Sequence, residues 1–353
     1  MTKDVLIVGA GLTGLALTRR LTAVGLDVQV LEARDRIGGR IYTQTLGEGY
    51  FDMGPAWFWD GQPLMAELVR DLELRKFEQF SDGILTFEDE HGRVVRGQGY
   101  ASMQGSYRLE GGMAALCDGL AVDLPDGVVA LKSNVQRITR VDGGIQSDIN
   151  DGSAYLSKHV VLAMPPRLSA GITFEPALST SALQDLANIP TWMAGQAKVL
   201  AVYERPFWRD AGLSGDAMSR RGPMVEVHDA SPATGGPYAL FGFIGVPAAR
   251  RTNRDALLVA VRAQLQRLFG EAAADPIDVI LQDWAQELFT TTAADHAPLR
   301  AHPVYGAPNS LRHLWDGRLH FAGTELAPVS GGLLEGALES ADQVAKDLIA
   351  QLT

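Results

Sequence analysis

The chain has 353 residues, 46% hydrophobic and 21% charged, with a formal net charge of −11. That length is enough for a large core and, on length alone, for two domains, while the acidic balance argues against nucleic acid or an anionic membrane surface as a partner. The single cysteine, Cys117, excludes a disulfide framework and a thiolate metal cluster and fits a reducing, cytoplasmic compartment. No uninterrupted apolar run approaches the ~18 residues of a membrane span. Lys3 followed by Val5 to Leu17 has the outline of a signal peptide, but cleavage there would destroy the turn described next, so the segment is read as part of the fold. The histidines show no metal-ligand spacing, so no metal site is expected. Gly-x-Ser-x-Gly is absent, which leaves a hydrolase elbow unsupported.

In chain order, the first unit reads Asp4-Val5-Leu6-Ile7-Val8, then Gly9-Ala10-Gly11-Leu12-Thr13-Gly14, a helical run, and a second strand Val28-Gln29-Val30-Leu31-Glu32. Gly9 allows the tight turn, Gly11 lets backbone approach a pyrophosphate, and Gly14 lets helix pack on strand. Unpaired N–H groups at the helix start then face phosphate, with the positive end of the dipole behind them. Glu32 stands where an acid accepts ribose hydroxyls. The stretch predicts a dinucleotide site. Next come Ala33-Arg34-Asp35-Arg36-Ile37 and Gly38-Gly39-Arg40, where paired glycines permit a second close backbone approach and Arg40 is placed to meet a phosphate.

The loop from Phe51 to Pro63 carries Trp57, Phe58 and Trp59 among glycines and prolines. Three bulky rings in a loop must pack on something, either the core beneath or a flat ligand beside it. Leu64, Leu68, Leu72 and Leu74 predict an amphipathic helix over 64–76, and residues 84–97 alternate like a hairpin. A helix over 113–121 buries Cys117 as a structural thiol. Strands follow at Val128–Leu131 and from Val135, then a hairpin over 145–156 turning at Asn150-Asp151-Gly152, then a buried strand over 159–163 halted by Pro165-Pro166. That stop reads as a crossover. Beyond it lie a strand from Gln196 to Tyr203 carrying Lys198, a helix from Arg254 to Phe269, a strand Val279–Leu281 before Trp284, a strand Leu319–Ala322, and a final helix beginning near Leu333. The chain stops soon after that helix, which leaves no room for a tail anchor.

Taken together, Gly9-Ala10-Gly11-Leu12-Thr13-Gly14, Leu31-Glu32-Ala33-Arg34-Asp35-Arg36-Ile37-Gly38-Gly39-Arg40 and Phe51-Asp52-Met53-Gly54 resemble the flavin-containing amine oxidases. The resemblance continues at Glu110-Gly111-Gly112-Met113, at Val160 to Pro166, at Ala197-Lys198-Val199 with Arg205-Pro206-Phe207-Trp208, at Phe321-Ala322-Gly323-Thr324-Glu325, and at Gly331 to Gly336. The pieces keep the family's order and span nearly the whole chain. The resemblance implies an α/β fold: a discontinuous, Rossmann-like FAD-binding domain (1–77, 111–187 and 287–353) with a second, mixed-sheet plus helix substrate domain (78–110 and 188–286). It implies FAD bound by Gly9, Gly11, Leu12, Thr13, Gly14, Glu32, Ala33, Arg34, Gly38, Gly39 and Arg40. Met53, Gly54, Pro55, Ala56 and Trp57 would run beside the isoalloxazine, Val135 would meet adenine, and Trp284, Gly323, Thr324, Glu325, Gly332, Leu333 and Leu334 would complete the site.

The implied reaction moves hydride from the α-carbon of a substrate amine to flavin N5, with reoxidation by oxygen. Lys198 is the implied catalytic residue, holding a water near N5. From the residues alone, an edge-strand lysine facing solvent is the favoured reading. Reduced flavin would be stabilised by the start of the final helix. Three departures stand out. The family's long helical insertion before Gly111-Gly112 is reduced to a short connection. The two tyrosines that flank the amine are replaced by Ala294 and Leu333. The position of a covalent flavin tether reads Ala293, so FAD is expected to be non-covalent. A flavin dehydrogenase or desaturase acting on C–C bonds of an apolar substrate, and a flavin-bound protein without turnover, remain open alternatives.

Overall fold

A computed structural model describes residues 2–297, 299 and 301–352, so the outer ends of the expected segments, residues 1 and 353, lie outside the described residues. At the centre of the larger sheet, Lys3–Val8 pairs in parallel with Val28–Leu31 on one side and Ala154–Leu162 on the other. Leu319–Phe321 joins Ala154–Leu162 in parallel. Strands covered on both faces read as unbroken apolar runs, and Val5, Leu6 and Ile7 are fully buried. On one face Leu15, Leu17 and Leu21 of helix Leu12–Ala23 pack with Leu338, Ala341 and Val344 of the final helix Leu334–Leu352. The other face carries Leu6, Val160 and Leu162 against Leu186 of helix Thr180–Asn188 and Trp315. The two ends of the chain therefore close one core.

The second sheet runs in the order Asp278–Asp283, Ala197–Tyr203, Tyr238–Ile244, Met224–Asp229, Leu213–Ser219, Ile84–Glu88, Val94–Arg96. The hairpin at 84–96 is thus an extension of the sheet built from 197–283. Period-2 alternation divides its faces. Val199 and Ala201 meet Leu257, Val261 and Leu265 of helix Arg254–Phe269. Leu200, Val202 and Phe241 turn the other way, onto Phe51 and Met53. Lys198 lies opposite Phe243, and Leu200 opposite Phe241, so Lys198 shares the face that meets Phe51 and Met53.

Four elements differ from the sequence expectation. The helix expected over 64–76 is Pro63–Asp71; the chain reverses at Glu73 (φ 53°), and Lys76–Glu78 pairs with Tyr107–Leu109. Leu68 and Leu72 are spaced for a helix, but Leu72 and Leu74 already carry the strand period. The expected strand Val128–Leu131 shortens to Val129–Ala130. The hairpin return and the buried strand before Pro165 are a single nine-residue strand, Ala154–Leu162. Ser157 is its pivot, pairing with Ile145 on one side and Lys3 on the other. Finally, Pro165-Pro166 ends that strand but does not send the chain to the second sheet. Thr173–Glu175 first pairs with Val135–Val141, and helix Thr180–Asn188 follows before the chain crosses.

Candidate active site

The glycine turn shows why each glycine is there. A Cβ on Gly9 (φ 110°) would stand 2.5 Å from Ala163 O, and one on Gly14 would stand 2.0 Å from Gly9 O. Both are packing positions. A Cβ on Gly11 meets nothing closer than Gly38 O at 3.9 Å, yet Gly11 lines the main cleft. It would project into open space at the start of helix Leu12–Ala23, whose first turn has no side-chain cap. Gly11 and Gly38 form a β-bridge, and a Cβ on Gly39 (φ 58°) would stand 3.5 Å from the Gly11 Cα. The result is a shallow cradle of glycine backbone and free N–H groups, suited to a pyrophosphate.

Glu32 is buried at the end of its strand, where its carboxylate accepts from Ala10 N at 2.8 Å and Arg34 N at 2.9 Å. These bonds fix the carboxylate and leave it lone pairs toward the cleft it lines. Arg40 makes a two-point ion pair with the fully buried Glu325, Nη2 to Oε2 at 3.1 Å. Burial works against the Arg40 charge and Glu325 outweighs it, so its pKa is raised. Glu325 therefore aims a cation at the cleft and does not line it. Arg34 is partly spent elsewhere: its guanidinium donates to Thr290 Oγ1 at 2.7 Å and contacts Glu287.

These parts border one cleft of about 580 Å³. Every expected cofactor-site residue lines it except Gly14 and Glu325, which act from behind Gly9 and Arg40. Val135, Glu32, Trp57, Lys198, Gly332, Leu333 and Leu334 all border it. The aromatic run divides between cleft and core. Trp57 and Trp59 line the cleft, while Phe58 is 2% exposed and packs on Tyr107. Trp57 Nε1 is anchored on Gln79 Oε1 at 2.7 Å, and Trp284 Nε1 on Met53 O at 2.9 Å. Leu333 borders the cleft, whereas Ala293 and Ala294 are exposed and lie outside its lining.

Lys198 is 3% exposed and sits on a strand paired on both sides, not at an edge. Its Nζ donates to Asp52 O and Gly54 O, both at 2.8 Å. The rings of Phe241, Trp57 and Phe243 surround it at 4.3 to 5.7 Å. Burial pulls its pKa down to about 7; Asp52 opposes that shift and Arg108 adds to it.

Sequence reasoning missed Trp192, Met193, Leu288 and Phe289 in the cleft wall. They lie in loops whose course depends on packing. Phe243 was legible in principle, since it alternates with Phe241 on a strand. Glu335 was also missed: its carboxylate accepts from Leu64 N at 3.0 Å and Met65 N at 2.8 Å, capping helix Pro63–Asp71. Among the described residues no cluster suited to a metal ion occurs, and no helix is long and apolar enough to cross a membrane.

Residues 12–101 and 82–349 match the family described as flavin containing amine oxidoreductase. The chain belongs to that family. It is an FAD-dependent oxidoreductase on that basis, and its cleft fits the cofactor: the open side of Gly11 is a cradle that any Cβ would fill, and the uncapped helix start and Arg40 supply the donors a diphosphate needs. The two matched stretches share residues 82–101, within the short connection where an insertion was expected to be missing.

Among curated proteins, the chain is 25% identical to a probable flavin-containing monoamine oxidase A of Dictyostelium discoideum, covering 98% of this chain and 97% of that one. Their alignment runs over 452 positions although this family member has 353 residues. It is 25% identical to a putrescine oxidase of Kocuria rosea (96% and 95% covered) and 23% identical to an L-amino acid dehydrogenase of Synechocystis (99% and 95%). Its fold is similar to a solved putrescine oxidase bound to putrescine and to cyclohexylamine oxidase from Brevibacterium oxydans. Each gives a TM-score of 0.82 at 22% identity, covering 99% of both chains in the first case and 100% in the second.

Proposed function

We propose that this protein oxidises a small amine, with FAD held non-covalently along the cleft by Gly11, Gly39, Arg40, Glu32 and the start of the final helix. Residues 1–77, 111–187 and 287–353 would carry the cofactor, and 78–110 with 188–286 the substrate wall. In support of that division, Ile84–Glu88 pairs with Leu213–Ser219 in the second sheet. When bound, FAD supplies a two-electron acceptor for the amine's α C–H bond, with oxygen as the final oxidant. Trp57, Phe243 and Leu333 offer an apolar wall that disfavours a charged ammonium and favours the neutral amine. In that form the amine needs no strong base, and positioning does most of the work. Lys198 holds its nitrogen fixed by two carbonyls and offers its remaining valence for a water at the reacting end.

The observation that carries this reading is Lys198, buried on the cleft wall with no carboxylate bonded to its nitrogen. Lys198→Met tests it. Flavin content should stay normal while reoxidation by oxygen slows by at least about tenfold, the scale of one well-placed proton or charge contact. Unchanged reoxidation removes Lys198 from the mechanism. An oxygen electrode separates oxidase from dehydrogenase: amine-dependent peroxide supports the reading, and flavin bleaching with slow reoxidation favours the alternative. An anaerobic screen of amines, amino acids and polyamines for flavin bleaching identifies the substrate class.

A further inference from the structure

Lys198 is one of three charged groups buried together. Asp52, 5% exposed, lends its backbone carbonyl to Lys198. Its side chain is pinned separately, with Oδ1 accepting from Thr43 Oγ1 at 2.6 Å and from Met113 N at 2.8 Å, at the start of helix Ala114–Val122. Oδ2 is buried with no hydrogen-bond partner. Arg108, 3% exposed, donates only to backbone, to Ser231 O at 2.7 Å and Ala230 O at 2.9 Å. No carboxylate is committed to Arg108 by a hydrogen bond, and none to Lys198. Burial raises the pKa of Asp52, and Arg108 and Lys198 pull against that rise, so two basic groups and one carboxyl compete in a region of low dielectric, where an uncompensated charge is costly.

The other charged groups nearby are already paired. Asp229, beyond Arg108, is bound to Arg209 at 2.7 Å. His228, beyond the Phe241 ring, is held by Asp216 at 2.7 Å and Glu226 at 2.9 Å. Gln282, the strand neighbour of Lys198, is neutral and bonds Glu287 at 2.9 Å. Tyr50 also acts on Arg108.

With two carbonyl acceptors satisfied, a neutral Lys198 presents a lone pair in its third direction and a charged one presents an N–H. We propose that Asp52 and Arg108 are positioning residues that decide, in opposite senses, which of the two Lys198 offers to the cleft. Asp52 holds the proton on, and Arg108 drives it off. This rests on the role given to Lys198 above.

The test is a direct titration of Lys198 in the flavin-loaded protein. The chain has only six lysines, so lysine-selective ¹³Cε NMR resolves them, and the Lys198 signal is the one missing in Lys198→Met. Wild type should titrate near 7. Asp52→Asn, which keeps an oxygen for Thr43 and Met113, should lower the midpoint by about one to three units. Arg108→Met should raise it by about one unit or more, and Arg108→Lys, which keeps the charge, should leave it near wild type. The pH profile of flavin reoxidation should move with each midpoint. A midpoint that stays put in Asp52→Asn, or moves the same way in Asp52→Asn and Arg108→Met, overturns the proposal. If Asp52→Asn fails to hold flavin, the upward shift in Arg108→Met and its absence in Arg108→Lys decide the matter. If Lys198→Met reoxidises normally, the reading of Lys198 falls. If Lys198→Met slows while Asp52→Asn leaves the midpoint unmoved, only the present inference falls.

Discussion

Replacing Gly11 by alanine should separate folding from cofactor binding. Its backbone (φ −77°, ψ −178°) is open to any residue, and a Cβ there meets no atom closer than 3.9 Å. The fold should therefore lose no more than about 0.5 kcal/mol, as for an unstrained surface change. The same methyl occupies the approach to the helix start. A diphosphate held off would forfeit about two charge-assisted backbone hydrogen bonds at roughly 1.5–3 kcal/mol each. That is about 3–6 kcal/mol, or roughly a hundred- to ten-thousand-fold in the FAD dissociation constant. Thermal unfolding without added flavin reads the first quantity, and FAD fluorescence titration reads the second. Gly14→Ala is the opposing control, because its Cβ would lie 2.0 Å from Gly9 O and should disrupt the fold outright. A Gly11→Ala protein that binds FAD within about threefold of wild type, or one that cannot fold, would refute the reasoning, since the bound-phosphate geometry assumes both a tolerant backbone and a filled cradle.

Glu335→Ala removes the acceptor for two N–H groups at the start of helix Pro63–Asp71. It should cost about 1–3 kcal/mol, seen as a melting point lower by a few degrees, with Glu335→Gln recovering part of the loss; an unchanged melt would show that water replaces the cap. Burial holds the pKa of His320 down at about 4 and also lowers that of its neighbour His159, with ring nitrogens 3.4 Å apart. Both are neutral in the fold, whereas the unfolded chain protonates them near 6.5, so stability should fall as pH drops from about 6.5 to about 4. His320 is partly exposed, which limits its share to about 1–2 kcal/mol. Urea unfolding at several pH values should show a flatter slope in His320→Gln, and an identical slope would exclude the pair as its source. Acid or heat precipitation should release all the yellow colour, because no cysteine stands at Ala293 and that residue is exposed outside the cleft lining; colour retained on the pellet would show a covalent link.

The glycine turn was legible because its spacing is local: Gly14 answers to Gly9 O in the same turn, and Glu32 is placed by the length of that helix and the next strand. The Ala163 O that also confines Gly9, and the Gly38 that bridges Gly11, come from elsewhere in the chain. The apolar runs at Val5–Val8 and Val160–Leu162 likewise announce strands covered on both faces. Boundaries read less well where periods overlap: Leu72 satisfies both helix and strand spacing, and only pairing of Lys76–Glu78 with Tyr107–Leu109 decides between them.

Lys198 marks where sequence ends and tertiary structure begins. The amino acids alone place it in an apolar strand of alternating faces. They cannot tell a solvent-facing lysine from a buried one, because its carbonyl partners, Asp52 and Gly54, lie 146 and 144 residues away. Arg40 meets Glu325 across 285 residues, and Glu335 caps a helix some 270 residues upstream. Local sequence sets which backbone shapes are allowed and which faces are apolar. Which charges share a buried space, and hence which proton Lys198 holds, is settled only when the second sheet closes on the segment from Phe51 to Gly54 and buries Lys198.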